Sequence, residues 1–562
     1  MRGRRQPALL IAALTAGALV LSACGGGGGN NPANNLQGKV DANDINPKPV
    51  SELKDGGDLR WAVSKLSVQF NYHHLDGTER DSADITEALM PRIHMPNARG
   101  ELIPNKNYVE SVQLVSTNPQ QVVEYKLNPK AVWYDGTPLS YKDFDAQFKA
   151  LNGTNAAFVT SSNTGYEDIE KVERGATDQD VKVTFKNKFG DWRSLFDPLY
   201  PASTNSDPKV FNEGWIEKPL TTAGPFKLDS IDRGAKILTL VPNDKWWGDK
   251  PKLSRIIYRQ LDVDSTAQAF AAGDVDFIDI GPSVTTFQQV KPVPGAVIRK
   301  SLAPDFRHMT FNGAKGAILD DPKLRLAIQK AIDRTTIAKS QIGAIIPDAK
   351  PLNNHIYVEG LKDYKDQGQL VAFNKDQAAK ELDELGWKRE GEGTRKKDGK
   401  ELVIRDVIPS AVETSANEAK QAQQMLAAIG VKLDIQTVPS ELFFKEYVNK
   451  GNFDVTHFSW IGTPTPASSK GGIYKLDPNA VNQNYGRIGN ETINKLLTDA
   501  NSELDDAKRA ELANKADEEI WKSGHSLLLY QRPNAIGVKD TLANFGAFGF
   551  AGFEFEKIGY VK

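Results

Sequence analysis

Few residues of this chain have the types and spacings that do chemistry. Its seven histidines are scattered over 562 residues, and among them His73 and His74 stand side by side. Two imidazoles can begin a metal site, but adjacent side chains in a loop rarely converge on one ion, and the sequence offers no third ligand near them. No metal and no other cofactor is expected. The carboxylates are many but form no recognisable pair, and HExxH, GxSxG and GxxxxGK are absent. An enzyme is therefore not expected, and a secreted hydrolase is the least favoured alternative. What remains is the thiol of Cys24, the single cysteine of the chain.

Cys24 closes the stretch LVLSAC and precedes five glycines. Arg2, Arg4 and Arg5 give a basic start, and 8–21 is apolar apart from Thr15 and Gly17. That run suits a signal-peptide core and falls short of the ~20 residues that span a bilayer. With small residues at Ser22 and Ala23, the junction resembles a bacterial lipobox, whose cysteine receives a diacylglycerol and becomes the first residue of the mature chain. The alternative is an ordinary signal peptide with an incidental cysteine. The expected processing is a signal peptide at 1–23, a lipidated Cys24 and a disordered tether at 24–57, rich in Gly, Asn, Pro and Asp.

Apolar and charged fractions of 40% and 25% are those of a globular protein, and some five hundred residues exceed one hydrophobic core. The net charge is −2 and basic residues do not cluster, so no nucleic-acid partner is expected. The one membrane contact expected is the lipid anchor, and a monomer is expected.

Strand patterns appear at 58–63, 122–127, 181–185, 237–241 and 431–438. Helix starts are marked by Ser140 with Asp143, by Asp321 before Pro322, and by Ser415 with Glu418. Gly153, Gly386 and Gly430 mark helix ends, and 397–400 (KDGK) reads as a hairpin turn. The chain is mixed α/β.

Several phrases in order resemble the extracytoplasmic solute-binding proteins of family five, the oligopeptide- and dipeptide-binding components of ABC importers. They are 131–144 (AVWYDGTPLSYKDF), 222–228 (TAGPFKL), 243–248 (NDKWWG), 325–334 (RLAIQKAIDR), 378–387, 424–435, 453–460 (FDVTHFSW) and 530–533 (YQRP). The resemblance implies an α/β, two-lobe periplasmic-binding-protein-like fold of cluster C, with an extra domain and a hinge. The first lobe would be discontinuous, at 58–80, 210–300 and 528–562, the additional domain 81–209 and the second lobe 301–527. It implies a lipid-anchored receptor on the extracytoplasmic face that encloses a peptide or peptide-like solute and delivers it to ABC permease subunits. A peptide-signal receptor on the same fold is the alternative.

Two segments correspond to ligand-contacting loops of that family. In 70–78 (FNYHHLDGT), Asp76, Gly77 and Thr78 fall at contacting positions, with a plain surface loop as the competing reading. In 453–466, a strand ends near Trp460 and breaks into a Pro- and Gly-rich loop, and the resemblance implies that Trp460, Ile461 and Gly462 lie there against the ligand. Ordinary core packing is the alternative for Trp460. The family's peptide binders commonly carry next an aspartate for the ligand's terminal ammonium. Here Thr463 stands instead, and 459–473 contains no acid. The expected ligand therefore brings no free ammonium to this end.

Overall fold

The computed structural model describes residues 41–562 apart from 411; Cys24 and the signal peptide lie outside the described residues. Two large hydrophobic cores organise them. The first rests on a four-stranded sheet ordered Asp58–Val63, Arg255–Gln260, Ile237–Pro242, Phe226–Asp232, whose first pair is parallel. Period-two alternation buries Leu59, Trp61 and Val63 on one face. A second four-stranded sheet, ordered Val109–Ser116, Val122–Leu127, Asp180–Phe185, Ile169–Arg174, is antiparallel throughout. The helix Tyr141–Leu151 covers it and opens on the capping box read from the sequence, Asp143 accepting from the Ser140 N–H at 2.9 Å. Val123, Tyr125 and Phe144 of this part belong to the same apolar cluster as Trp61 and Tyr258. The segment expected as an additional domain thus shares its core with the first lobe.

The second core lies on a six-stranded sheet ordered Phe277–Asp279, Ser526–Lys539, Ala296–Phe311, Val455–Trp460, Val403–Pro409, Lys432–Val438. Its two long strands join the lobes. Residues 296–302 pair with 533–539 beside Phe277–Asp279, while 306–311 pair with Val455–Trp460. Between Leu302 and Phe306 the ladder loses register, leaving Ala303, Pro304 and Asp305 as a bulge. Pro304 has no N–H to give a ladder, so the interruption falls where the sequence forces it. The result is an α/β fold of two lobes with a two-strand connection. The expected divisions at 300/301 and 527/528 fall inside these strands; the ladder breaks at 303–305 instead.

The tether expected at 24–57 requires correction over its second part. Leu53 is fully buried, Asp44 and Ala547 exchange backbone hydrogen bonds of 2.8 and 2.9 Å, and Lys54 N–H donates to Tyr560 O at 2.8 Å. Asp44 also accepts from Arg299 Nη1 at 2.9 Å. The polar composition misleads here because order comes from backbone pairing and two apolar anchors, Ile45 and Leu53. The C-terminal aromatic stretch packs on the first core, with Phe545 and Phe553 each 5.6 Å from Trp61.

Candidate functional site

Trp460 ends the strand Val455–Trp460 and pairs with Phe306 across the ladder. The β-branched and aromatic run VTHFSW favours extended backbone, and the Gly and Pro that follow end it. The indole is half-buried and lies parallel to His308 (5.7 Å, 12°) and to Tyr485 (5.9 Å, 7°), with Phe458 edge-on at 5.2 Å. Ile461, next in line, is 74% exposed. A Cβ at Gly462 would come within 2.2 Å of Pro304 O, so the close approach of loop to bulge requires glycine. Thr463 turns back into its own loop, donating to Ser469 Oγ at 3.0 Å.

The other segment behaves differently. Residues Leu75–Gly77 form a single tight turn. A Cβ at Gly77 would sit 2.0 Å from Asn71 O, and Thr78 Oγ1 donates to Tyr72 O at 2.8 Å. These two hold the turn together, whereas the Asp76 side chain is 80% exposed. No hydrogen bond or ion pair among the described residues joins this turn to 460–463. The histidines diverge: His73 Nε2 lies 2.8 Å from Pro198 O, while His74 Nδ1 accepts from Asp76 N–H at 3.1 Å. Burial pushes the His73 pKa down to about 4, which leaves the ring neutral.

Three residues that sequence reasoning missed complete the strand end and its surroundings. Asp305 arrives from the bulge, its Oδ1 accepting from Gly462 N–H at 3.3 Å and its Oδ2 lying 3.4 Å from Arg532 Nη1. The acid-free strand end expected from 459–473 is thus incorrect in three dimensions, because the acid comes from a different strand. Burial pushes the Asp305 pKa up, with Arg532 opposing. Lys470 is 2% exposed, and its ammonium lies 4.9 Å above the Phe306 ring. Asp191, on the first-lobe side, accepts from Ser468 N–H at 2.9 Å and lies 3.5 Å from Arg509 Nε. Beside it Gly190 N–H donates to Asn501 O at 2.6 Å. A cavity of about 340 Å³ lies in this junction, lined by Arg99, Glu101, Tyr357, Pro464, Thr465 and Arg509 among others. A larger cavity of about 600 Å³, between Ile45, Met95 and Phe548, touches none of the residues read as ligand contacts.

Behind Trp460 the sheet carries a buried ionic cluster. Arg307 donates to both Glu418 oxygens at 2.9 and 2.6 Å, and Tyr530 OH adds a third bond at 2.7 Å. His457 lies between Asp406 (3.1 Å) and Glu418 (3.4 Å), fully buried. Burial opposes every charge here, but Arg307 and His457 hold the Glu418 pKa down at about 2, and the two carboxylates hold that of His457 up at about 9. The cluster braces the strand end.

Residues 109–479 match the family model described as bacterial extracellular solute-binding proteins, family 5 Middle. The chain is 39% identical over 554 residues to the oligopeptide-binding protein OppA of Mycobacterium tuberculosis, covering 97% of this chain and 92% of that one. Among solved structures, the periplasmic EDTA-binding protein EppA superposes with a TM-score of 0.82 at 24% identity, covering 92% of this chain and 98% of that one. The oligopeptide-binding protein AppA of Bacillus subtilis, solved with a nonapeptide, gives 0.73 at 20% identity, covering 91% and 100%. The chain belongs to the bacterial extracellular solute-binding proteins of family 5.

Proposed function

We propose that this protein is the substrate-binding component of an ABC importer, taking a peptide or peptide-like solute between its lobes and passing it to membrane permease subunits. Family membership makes it an extracytoplasmic solute-binding protein and not an enzyme. The peptide class is supported by the 39% identical oligopeptide-binding relative, which spans nearly the whole chain. The observation that carries the reading is the strand end at 460–462. There a stacked indole and an exposed isoleucine sit beside the three-residue break in the two-strand connection. An extended peptide meets such a site as an added strand would, through backbone bonds with side chains in flanking pockets. Hinge motion about 303–305 would open the junction and close it again. Within this reading Trp460, Ile461 and Gly462 face the ligand, Asp76 borders it, and Gly77, Thr78 and Thr463 shape their loops.

The lipid anchor on Cys24 belongs to the same proposal and is supported by the LSAC junction alone. The decisive experiment is mass spectrometry of small molecules released on denaturing the purified protein, followed by calorimetry with those identified. Recovery of oligopeptides that rebind supports the reading. Recovery of a sugar or a metal chelate, with no heat from a mixed peptide pool, overturns it.

A further inference from the structure

Lys470 is an anomaly at the strand end. A lysine 2% exposed is rare unless paired. Yet the ammonium has no hydrogen bond or ion pair among the described residues, only the face of Phe306 at 4.9 Å. The carboxylate within electrostatic reach is Asp305, which does not touch it and is already held by Arg532 and the Gly462 N–H. Phe306 follows Asp305 in the chain and pairs with Trp460, so the ammonium stands at the same strand end as the residues read as ligand contacts. Arg80 lies near this group too, 3.6 Å from Asp279 and 75% exposed. Arg532 and Arg80 both act on Asp305, and Arg80 is shared with Asp279, Asp84 and Asp81, so the one acid that reaches Lys470 is already engaged by two other cations.

A buried, unpartnered ammonium destabilises the fold that contains it, and removing it for an apolar side chain of similar length is stabilising in general. Retaining one is therefore a stability–function trade, resolved when an anion arrives. We propose that Lys470 is a specificity-determining residue, taking a carboxylate of the bound solute at the strand end and selecting acidic over neutral peptides. This rests on the peptide reading and adds the charge the ligand must carry. It also gives a physical account of Thr463: an aspartate there would neutralise the lysine and remove the site for the ligand's anion. Asp305 does not do so, because its charge is shared with Arg532.

The test uses two pools of free-ended hexapeptides, one with Asp or Glu at the two N-terminal positions and one with Asn or Gln there, titrated into wild type, Lys470→Met and Lys470→Arg. Wild type should bind the acidic pool at least tenfold tighter. Lys470→Met should lose that preference while its neutral-pool affinity stays within threefold and its ligand-free melting temperature holds or rises. Lys470→Arg should keep part of the preference. Equal binding of both pools by wild type overturns the role of Lys470 and leaves the peptide reading standing. A fall in melting temperature for Lys470→Met with preference retained makes the lysine structural and likewise overturns it. Binding of neither pool overturns the peptide reading itself, and this inference with it.

Discussion

Trp460 packs against three apolar clusters and still leaves part of its ring uncovered, so truncating it has two separable effects. Trp460→Ala should weaken binding of a bound peptide about thirtyfold, or ~2 kcal/mol, the usual loss for an interface aromatic. It should also lower unfolding stability by about 2 kcal/mol, since a large side chain leaves a partial cavity. Trp460→Phe should recover most of the stability and less of the affinity. Recovery of both together, measured by calorimetry and urea unfolding, would make the indole a core residue only. The buried cluster gives a pH signature. The His457 pKa is raised to about 9, so its contribution to stability is present below the ordinary value near 6.5 and is lost as pH climbs toward 9. Unfolding free energy should fall by about 3 kcal/mol over that window, and His457→Gln should flatten the fall. Glu418 acts at the other limit: its contribution stands above pH 4.5 and disappears as pH drops toward 2. Glu418→Gln strands two buried cations and should destabilise by ~3–5 kcal/mol. A flat wild-type profile between pH 6.5 and 9 would contradict the assignment. Trp460 is singled out by the family resemblance together with the end of a strand pattern near it. Ser415 and Glu418, which look like a helix start, are instead buried residues of the helix Glu413–Ala428 serving Arg307, a partner no local pattern reveals.

Local signals located many elements, and what escaped them is the element that matters most. Helices beginning at Tyr141 and Pro322 start where their caps predict, and Gly386 and Gly430 end theirs at φ of +88° and +80°. The long strand Ala296–Phe311 has no such signature, because Arg299, Lys300, Pro304, Asp305 and Arg307 interrupt any alternation. Its extended form is imposed by pairing with Ser526–Lys539, more than two hundred residues away. The junction at 190–193 is equally invisible in sequence. Gly190, Asp191 and Arg193 reach the helices Glu491–Ser502 and Asp506–Lys522 and the loop at Ser468. These contacts bind the first-lobe side to the loop that follows Trp460, so they favour closure. Asp191→Ala should shift the ligand-free protein toward an open form, raising its radius of gyration in X-ray scattering. It should weaken peptide binding about five- to tenfold, ~1–1.4 kcal/mol of closing free energy. An unchanged scattering curve and affinity would show that the contacts follow closure without setting it.

Across the described residues the division into two lobes was legible from ordered phrases, whereas the docking of 44–57 and of the C-terminal segment was not. Under the proposed lipid anchor, Cys24→Ala should release the protein from membranes into the medium. Full membrane retention of the variant, or a wild type without lipid mass, would refute the lipidation. The docking of the segment from 44 onward would shorten the tether of the proposed anchor. Nineteen residues lie between Cys24 and Asp44, and even at full extension that stretch reaches no more than ~70 Å. More follows from where the leash is fastened. Asp44 grips Arg299 and the Lys300 N–H on the connecting strand, ahead of the bulge, and Leu53 is sunk beside the C-terminus. With the proposed lipid on Cys24, any pull from the membrane would be delivered to the first lobe and stop short of 303–305. On the proposed anchor and hinge, the first lobe would be the stator and the second the moving jaw, and a permease that reads the closed state would sense the second lobe against a first lobe moored to the same membrane.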